Sequence, residues 1–113
     1  MGVKVQLKKF KSIIIHFAST DKEWSKLVLA KTNSTCVLCG KPATPAHIIS
    51  RRFKKTRLAV ENGQPLCVVH HNFFDSLSVK DHEKMSILLV GLNVYKKLVD
   101  LSTSYSEVKS WSN

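Results

Sequence analysis

The sequence predicts a single small α+β domain, and three observations carry that prediction. The chain has 113 residues, 43% hydrophobic and 23% charged, which is long enough for one folded core and too short for two. Short β-type segments separated by turn residues occupy the region from about 35 to 77, and helix-type segments lie on both sides of it. Cysteine and histidine occur in pairs around those short strands, as in domains held by a metal ion. We therefore expect a metal-stabilised core at 35–77, a basic arm and helix at 1–34, and a helical extension at 78–113.

The first third of the chain contains a weak strand pattern followed by a clear helix signal. Residues up to about 17 alternate loosely between apolar and polar types, which fits either an edge strand or a flexible basic arm. Asp21 and Glu23 then follow a candidate capping residue, Ser19 or Thr20, a combination that favours a helix start. The sequence predicts a helix near 20–31, with Trp24 in the core.

The middle of the chain predicts a β-hairpin followed by a helix. Pro45–Ile49 is a candidate strand, and the turn dipeptide Asn62-Gly63 precedes a second one at Gln64–Cys67. A helix is expected directly after the second strand, with Phe73 and Phe74 packed in the core.

Two helices are predicted beyond the core. Ser78 and Asp81 favour a helix start, and Gly91 is expected to break the helical pattern before Val94–Leu101. Four apolar residues are expected on one face of the first of these helices: Met85, Leu88, Leu89 and Leu92. Two histidines without a partner pattern, His16 and His82, are expected to face solvent.

The charge balance indicates a polyanionic partner. The net charge is +10, from 18 Lys and Arg against 8 Asp and Glu, and nucleic acid is the leading candidate for such a chain. The apolar runs are too short to cross a bilayer, and the N-terminal segment lacks the cleavage pattern of a signal peptide. We expect a cytoplasmic protein with no membrane role, as a monomer or a homodimer.

The strongest motif is a pair of metal-ligand couplets. The two couplets are Cys36-Val-Leu-Cys39 and Cys67-Val-Val-His70. Such a couplet lets one tight turn aim two side chains at one ion, and two couplets complete a tetrahedron around Zn²⁺. A closed shell of this kind predicts a structural zinc. The alternative is a redox pair, Cys36 and Cys39, with Cys67 as a buried apolar residue.

Three further residues are of interest: His47 and Asn62 lie between the two couplets, and His71 directly follows the second one. Their surroundings are Ala46-His47-Ile48-Ile49, Glu61-Asn62-Gly63 and Leu66-Cys67-Val68-Val69-His70-His71. In this order and spacing the chain resembles the HNH endonuclease family, whose core is the ββα-metal (His-Me finger) fold. The resemblance covers about forty residues, and it implies DNA cleavage. It also suggests a phage, mobile-element or defence setting.

The resemblance assigns a role to each of the three residues. His47 is expected to be the general base, because an imidazole with a pKa of about 6.5 can deprotonate water near neutral pH. Asn62 is expected to orient the loop that carries the base. His71 is expected to hold a catalytic divalent ion, Mg²⁺ or else Mn²⁺ or Ni²⁺. The spacing from Cys67 favours His70 over His71 as the zinc ligand, although the two could exchange duties.

The chain departs from the family at one position. Many members carry Asp or His directly before the general base as a second metal ligand, and this chain has Ala46 there. The ion is then held by His71 with water and phosphate oxygens, or the site is weakened. Asn72 and Asp75, one residue and one helical turn beyond His71, are candidates to assist.

A basic run lies between the two predicted strands. It consists of Arg51, Arg52, Lys54, Lys55 and Arg57. Its position beside the expected base predicts contacts with DNA phosphates, with Arg51 or Arg57 as a candidate to stabilise the transition state. Two alternatives stay open beside a DNA endonuclease: a catalytically inactive, zinc-stabilised DNA-binding module, and an RNA-binding or RNA-cleaving protein. A thiol redox protein is a more distant third.

Overall fold

The computed structural model describes residues 13–103 of the chain. It has the predicted α+β class, with a two-stranded antiparallel sheet and helices around it. The elements, in chain order, are α1 (Asp21–Ala30), β1 (Thr44–His47), α2 (Lys54–Arg57), a 3-10 turn (Val60–Asn62), β2 (Gly63–Leu66), α3 (Val68–Asp75), α4 (Val79–Val90) and α5 (Leu92–Ser102). The predicted strand or basic arm at the N-terminus lies largely outside the described residues.

Helix α1 begins where the sequence predicts, because two side chains at its N-terminus accept hydrogen bonds from backbone N–H groups that have no partner within the helix. The Thr20 hydroxyl accepts a hydrogen bond from the backbone N–H of Glu23 at 3.1 Å, and the Glu23 carboxylate accepts one from the Ser19 N–H at 2.9 Å. Trp24 and Val28 are buried on the inner face, which confirms Trp24 as a core residue. This face packs against the sheet and the 3-10 turn.

The two strands pair antiparallel, with Thr44 opposite Leu66 and His47 opposite Gly63. The turn predicted at Asn62-Gly63 is shifted toward the N-terminus: a 3-10 turn covers Val60–Asn62, and Gly63, with an extended backbone (φ −138°), is already the first residue of β2. The connection between the strands, predicted as a basic loop, contains the short helix α2. A glycine is needed at 63 for space: a Cβ there would lie 2.7 Å from Trp24 Cζ2 and closer still to the Val28 side chain. Gly63 therefore permits the close approach of α1 to the sheet.

The main core lies between the sheet, α3 and the turn that contains Cys36 and Cys39, called the cysteine turn below. Its largest fully buried side chains are Phe74, Ile48 and Leu66. Phe73, predicted to share the core, is 52% exposed. The reason is the helical repeat: consecutive residues of α3 point about 100° apart, and Phe74 takes the inward direction.

Helices α4 and α5 are separated at Gly91 (φ +89°), as predicted, and Ser78 caps α4. The predicted apolar face is only half correct. Met85 and Leu89 pack against the core, but Leu88 is 81% and Leu92 49% exposed. The buried face of α4 is centred on Ser86, and Leu88 lies about 200° around the helix from that residue. Among the described helices, none is both long and apolar enough to span a bilayer.

The two histidines predicted to face solvent differ in outcome. His16 is exposed, as expected, although its Nδ1 atom lies 2.6 Å from a carboxylate oxygen of Glu61. His82 is half-buried, and its ring stacks on Phe74 with 4.0 Å between ring centroids. The prediction for His82 is wrong because this residue shares the buried face of α4 with Ser86, one helical turn away.

Candidate functional site

The predicted zinc ligands lie together in a cysteine cluster formed by Cys36, Cys39, Cys67 and His70. One ligand atom from each lies within 4.8 Å of the others. The Cys39 and Cys67 sulfurs are 3.7 Å apart, and His70 Nδ1 lies 3.5 Å from Cys36 Sγ and 3.2 Å from Cys67 Sγ. A tetrahedral zinc ion separates two sulfurs by about 3.8 Å and a sulfur from a nitrogen by about 3.6 Å. The cluster therefore has the dimensions of a four-ligand metal site.

Local backbone geometry explains why each couplet converges. Gly40 adopts the left-handed conformation (φ +79°) and its N–H donates to the Cys36 carbonyl at 2.8 Å, which closes the turn between the first two cysteines. The Val37 N–H donates to the Pro65 carbonyl at 2.9 Å and ties this turn to β2. Cys67 is the N-cap of α3, so His70 is placed in the first turn of the helix. Both couplets are thus fixed by short-range bonds.

The electrostatics of the cysteine cluster suit a metal-bound thiolate. Burial alone would raise the pKa of the Cys36 thiol, but N–H donors from Cys67, Leu38 and Cys39 outweigh it and lower the pKa to about 6. A thiolate is the form that binds a metal. With four protein ligands the shell is closed to substrate, so a metal ion held here would be structural.

A groove of about 530 Å³ lies beside the cysteine cluster. His47 and His71 both line it, together with Asp21, Arg51, Asp75 and His82. The third residue of the predicted triplet, Asn62, is fully buried and does not line the groove. The structure thus brings the two predicted catalytic histidines to one cavity and places Asn62 in the supporting structure.

His47 is held by two contacts that fix both the plane and the tautomer of its ring. The ring stacks on Trp24, with 3.9 Å between centroids and 9° between planes. Its Nε2 atom lies 3.0 Å from the Arg57 carbonyl oxygen. Because a carbonyl can only accept, Nε2 carries the hydrogen, and a neutral ring then has its lone pair on Nδ1.

The surroundings of His47 also favour its neutral form. Burial lowers the pKa of His47, and the nearby positive charges of Arg51 and Arg57 act in the same direction, against the raising effects of the Arg57 carbonyl and the Asp21 carboxylate. The lowered pKa favours the neutral ring at pH 7. A neutral imidazole with its lone pair on Nδ1 is chemically competent to accept a proton.

The Asn62 side chain joins two separate backbone segments. Its Oδ1 accepts from the Ile49 N–H at 2.7 Å, and its Nδ2 donates to the carbonyls of Ile49 at 3.0 Å and Thr56 at 3.1 Å. One buried side chain thereby joins the end of β1 to α2. Arg57, whose carbonyl holds the His47 ring, is the residue after Thr56, so Asn62 supports that contact through the loop.

His71 lies on α3 with a partner on each ring nitrogen. Its Nδ1 is 3.2 Å from the Thr44 hydroxyl, and its Nε2 is 3.3 Å from a carboxylate oxygen of Asp75. Ala46, the position where the family pattern places a second ligand, is fully buried in the core and does not line the groove. Of the two positions at which the family pattern places metal ligands, only that of His71 lines the groove.

Comparisons of the chain with protein-family models, with curated proteins and with solved structures found no match. The resemblance to the HNH family therefore rests on the residues between 36 and 71.

The basic run beside the groove divides into two kinds of residue. Arg51, Arg52, Lys54 and Lys55 are exposed, and Arg51 also lines the groove. Arg57 instead donates to the Asp21 carboxylate at 3.0 Å. Arg51 is consequently the cation best placed to meet a phosphate in the groove, and Arg57 would have to leave Asp21 to do so.

The sequence predicts no functional role for Trp24 and names Asp75 only as a candidate to assist His71. Trp24 is predicted as core from its helical spacing, and nothing in that spacing indicates that its ring also supports His47. Asp75 follows His71 by one helical turn, and this spacing is the signal that could identify it.

Proposed function

We propose that this protein is a metal-dependent DNA endonuclease of the HNH type, with His47 as general base. The observation that carries the proposal is the Arg57 carbonyl on His47 Nε2. It leaves Nδ1 as the basic atom of a residue that shares a groove with His71. A base of fixed tautomer and a candidate metal ligand in one groove are the two parts that metal-assisted hydrolysis of a phosphodiester uses.

In the proposed reaction, His47 Nδ1 takes a proton from a water molecule as that water attacks the phosphorus. His71 is proposed to hold a divalent ion, which when bound would neutralise the charge that grows on the phosphate and on the leaving oxygen. Arg51 at the groove would stabilise the same charge. The stack on Trp24 restrains the His47 ring, so that little reorganisation is needed when the proton moves.

The cysteine cluster has a separate role in this proposal. We propose that it binds a structural Zn²⁺, which holds β2 and the start of α3 against the cysteine turn. Since His70 and His71 are adjacent on α3, a metal ion on His70 would also fix the backbone that presents His71 to the groove.

DNA is proposed as the substrate because exposed basic residues lie next to the base. Arg52, Lys54 and Lys55 are on the segment that follows β1, where they would meet the phosphates on either side of the scissile bond. One groove has one base, so a single chain is expected to cut one strand at a time. A double-strand break would need two events or a homodimer.

The test is nicking of supercoiled plasmid by the purified, zinc-loaded protein with Mg²⁺, Mn²⁺ or Ni²⁺. Omission of the divalent ion serves as the metal-free control, because a strong chelator would also attack the cysteine cluster. His47→Ala is expected to lower the rate by about 10²- to 10⁴-fold, the usual contribution of a general base. His16→Ala is the control, because His16 does not line the groove. This variant is expected to nick plasmid like the parent protein.

Other results would replace the proposal with one of its rivals. Binding of plasmid without nicking in every metal would favour the inactive DNA-binding module, for which the buried Ala46 is the structural argument. Faster cleavage of RNA than of duplex or single-stranded DNA in parallel assays would favour an RNA-cleaving protein.

A further inference from the structure

The groove contains a pair of potential metal-ligand atoms at the distance that one ion requires. Asp75 is the last residue of α3, and its Oδ2 lies 3.3 Å from His71 Nε2. An octahedral Mg²⁺ with ligand bonds of about 2.0–2.1 Å holds neighbouring ligand atoms about 3 Å apart. Both side chains line the groove that also contains His47. A single ion could therefore contact both without a change in the helix.

Thr44 holds the other nitrogen of the His71 ring. The Thr44 hydroxyl oxygen lies 3.2 Å from both the Leu66 carbonyl oxygen and His71 Nδ1. When its single hydrogen is donated to the Leu66 carbonyl, its oxygen accepts from the Nδ1–H of His71, and a neutral ring then directs its Nε2 lone pair at Asp75. This is the second-sphere arrangement that commonly orients a metal-binding histidine.

Without a metal ion, the 3.3 Å contact between His71 Nε2 and Asp75 Oδ2 is a pair of exposed side chains one helical turn apart. An exposed ion pair one helical turn apart stabilises a helix by only about 0.3–0.5 kcal/mol. The position of Asp75 opposes even that gain, because a negative charge at the C-terminal end of a helix interacts unfavourably with the helix dipole. Helix stability therefore gives little reason for an acid at this position.

Of the two acidic residues in the groove, Asp75 is better placed than Asp21 to bind a metal ion. The other one, Asp21, is paired with Arg57 at 3.0 Å. The Asp75 carboxylate has His71 as its partner, and its side chain is 58% exposed. It can therefore exchange a proton or an ion with solvent.

We infer that Asp75 is the second protein ligand of the divalent ion in the groove, beside His71, and that Thr44 orients His71 for this purpose. Asp75 thus supplies from α3 the ligand that Ala46 cannot supply from β1. The inference rests on the proposed nuclease function, since that function is the reason to place a divalent ion on His71.

The test measures metal binding in the absence of DNA. Mn²⁺ is titrated into zinc-loaded protein, and free Mn²⁺ is followed by electron paramagnetic resonance. The parent chain is expected to bind one Mn²⁺. Asp75→Asn and Asp75→Ala should each weaken binding at least tenfold, at the lower end of the roughly 10- to 100-fold expected even for lost second-sphere partners. Thr44→Val, which removes only the orienting oxygen, should have a smaller effect in the same direction.

Asp21→Asn is the matched control, because it removes the same charge from the same groove. Its Mn²⁺ affinity is expected to stay within about twofold of the parent value, since long-range charge effects at exposed sites are small. Zinc content and far-ultraviolet circular dichroism check that each variant is folded. The inference is overturned if the parent chain binds no Mn²⁺, if the Asp75 variants bind it as well as the parent, or if Asp21→Asn weakens binding equally.

These results can be separated from those that concern the function itself. Mn²⁺ binding that depends on Asp75, in a chain that cuts no nucleic acid, would support the metal site and contradict the nuclease. Nicking that depends on His47 but is unchanged in both Asp75 variants would support the nuclease and contradict the metal site.

Discussion

Two neighbouring residues of α3, His70 and His71, belong to regions that are built in different ways. The cysteine cluster around His70 consists of two couplets, each closed by hydrogen bonds within a few residues. The groove around His71 has no such local origin. His47 stands at the end of β1, its stacking partner Trp24 comes from α1, and the carbonyl that holds its ring belongs to Arg57.

Because the cysteine cluster is built from local turns and the groove from distant segments, the two regions should respond to different perturbations. We expect the cysteine cluster to depend on a bound metal ion and on the turn at Gly40, and the groove to depend on how closely α1 packs on the sheet at Gly63. Loss of the metal should disturb both regions, because α3 joins them. A change at the interface between α1 and β2 should disturb the groove alone.

Removal of the metal is expected to have the largest effect. Structural zinc contributes about 10–16 kcal/mol of apparent binding free energy in zinc-finger peptides, which exceeds the whole stability of most small domains. The chain should lose most of its helical signal and its cooperative thermal transition when a chelator removes the metal, and it should regain both when Zn²⁺ is returned. A metal-free chain, verified by elemental analysis, that melts like the loaded one would contradict the structural role of the cysteine cluster.

Two glycine substitutions are expected to separate the regions at a smaller energetic cost. Gly63→Ala introduces a Cβ against Trp24 and Val28, and overpacking of this kind costs about 1–3 kcal/mol. Gly40→Ala meets no atom within 4 Å but must keep φ at +79°, which costs about 1–2 kcal/mol.

The readouts distinguish the two regions directly. With Co²⁺ in place of zinc, the visible spectrum reports the thiolate ligands, and plasmid nicking reports the groove. Gly63→Ala should reduce nicking while the Co²⁺ spectrum stays unchanged, and Gly40→Ala should weaken Co²⁺ binding first. Identical behaviour of the two variants would mean that the regions are one cooperative unit.

The same contrast explains which parts of the molecule could be predicted from the sequence. All four members of the cysteine cluster were predictable, because a two-residue spacing translates directly into a local turn. The capped start of α1 and the break at Gly91 were predictable for the same reason, since Thr20 and the positive φ of Gly91 act on their own neighbours.

The errors concern contacts between distant segments. Periodicity correctly identified α4 as a helix, but it could not indicate that the buried face is centred on Ser86, so Leu88 and His82 were assigned to the wrong sides. Asn62-Gly63 has the composition of a turn, and only the packing of α1 reveals that Gly63 is required for space in a strand.

Two members of the groove, His47 and His71, were predictable, but the geometry of the groove was not. The family resemblance identified these two residues and Asn62 and suggested their roles. The stack of Trp24 on His47 and the use of the Arg57 carbonyl depend on tertiary packing, which no local pattern encodes. The chemistry of the groove therefore becomes specific only in the folded chain.

The central claim, that His47 acts as a neutral base, is tested most directly by the pH dependence of single-turnover plasmid nicking at saturating Mg²⁺. Burial lowers the pKa of His47 below its usual value of 6.5, so its active, unprotonated form is already dominant at pH 6.5. The rate should rise as pH increases through that lowered pKa and be level from about pH 7 upward. A rate that continues to rise tenfold per pH unit through pH 8 would contradict the claim, because the proton lost in the reaction would then belong to a group other than His47.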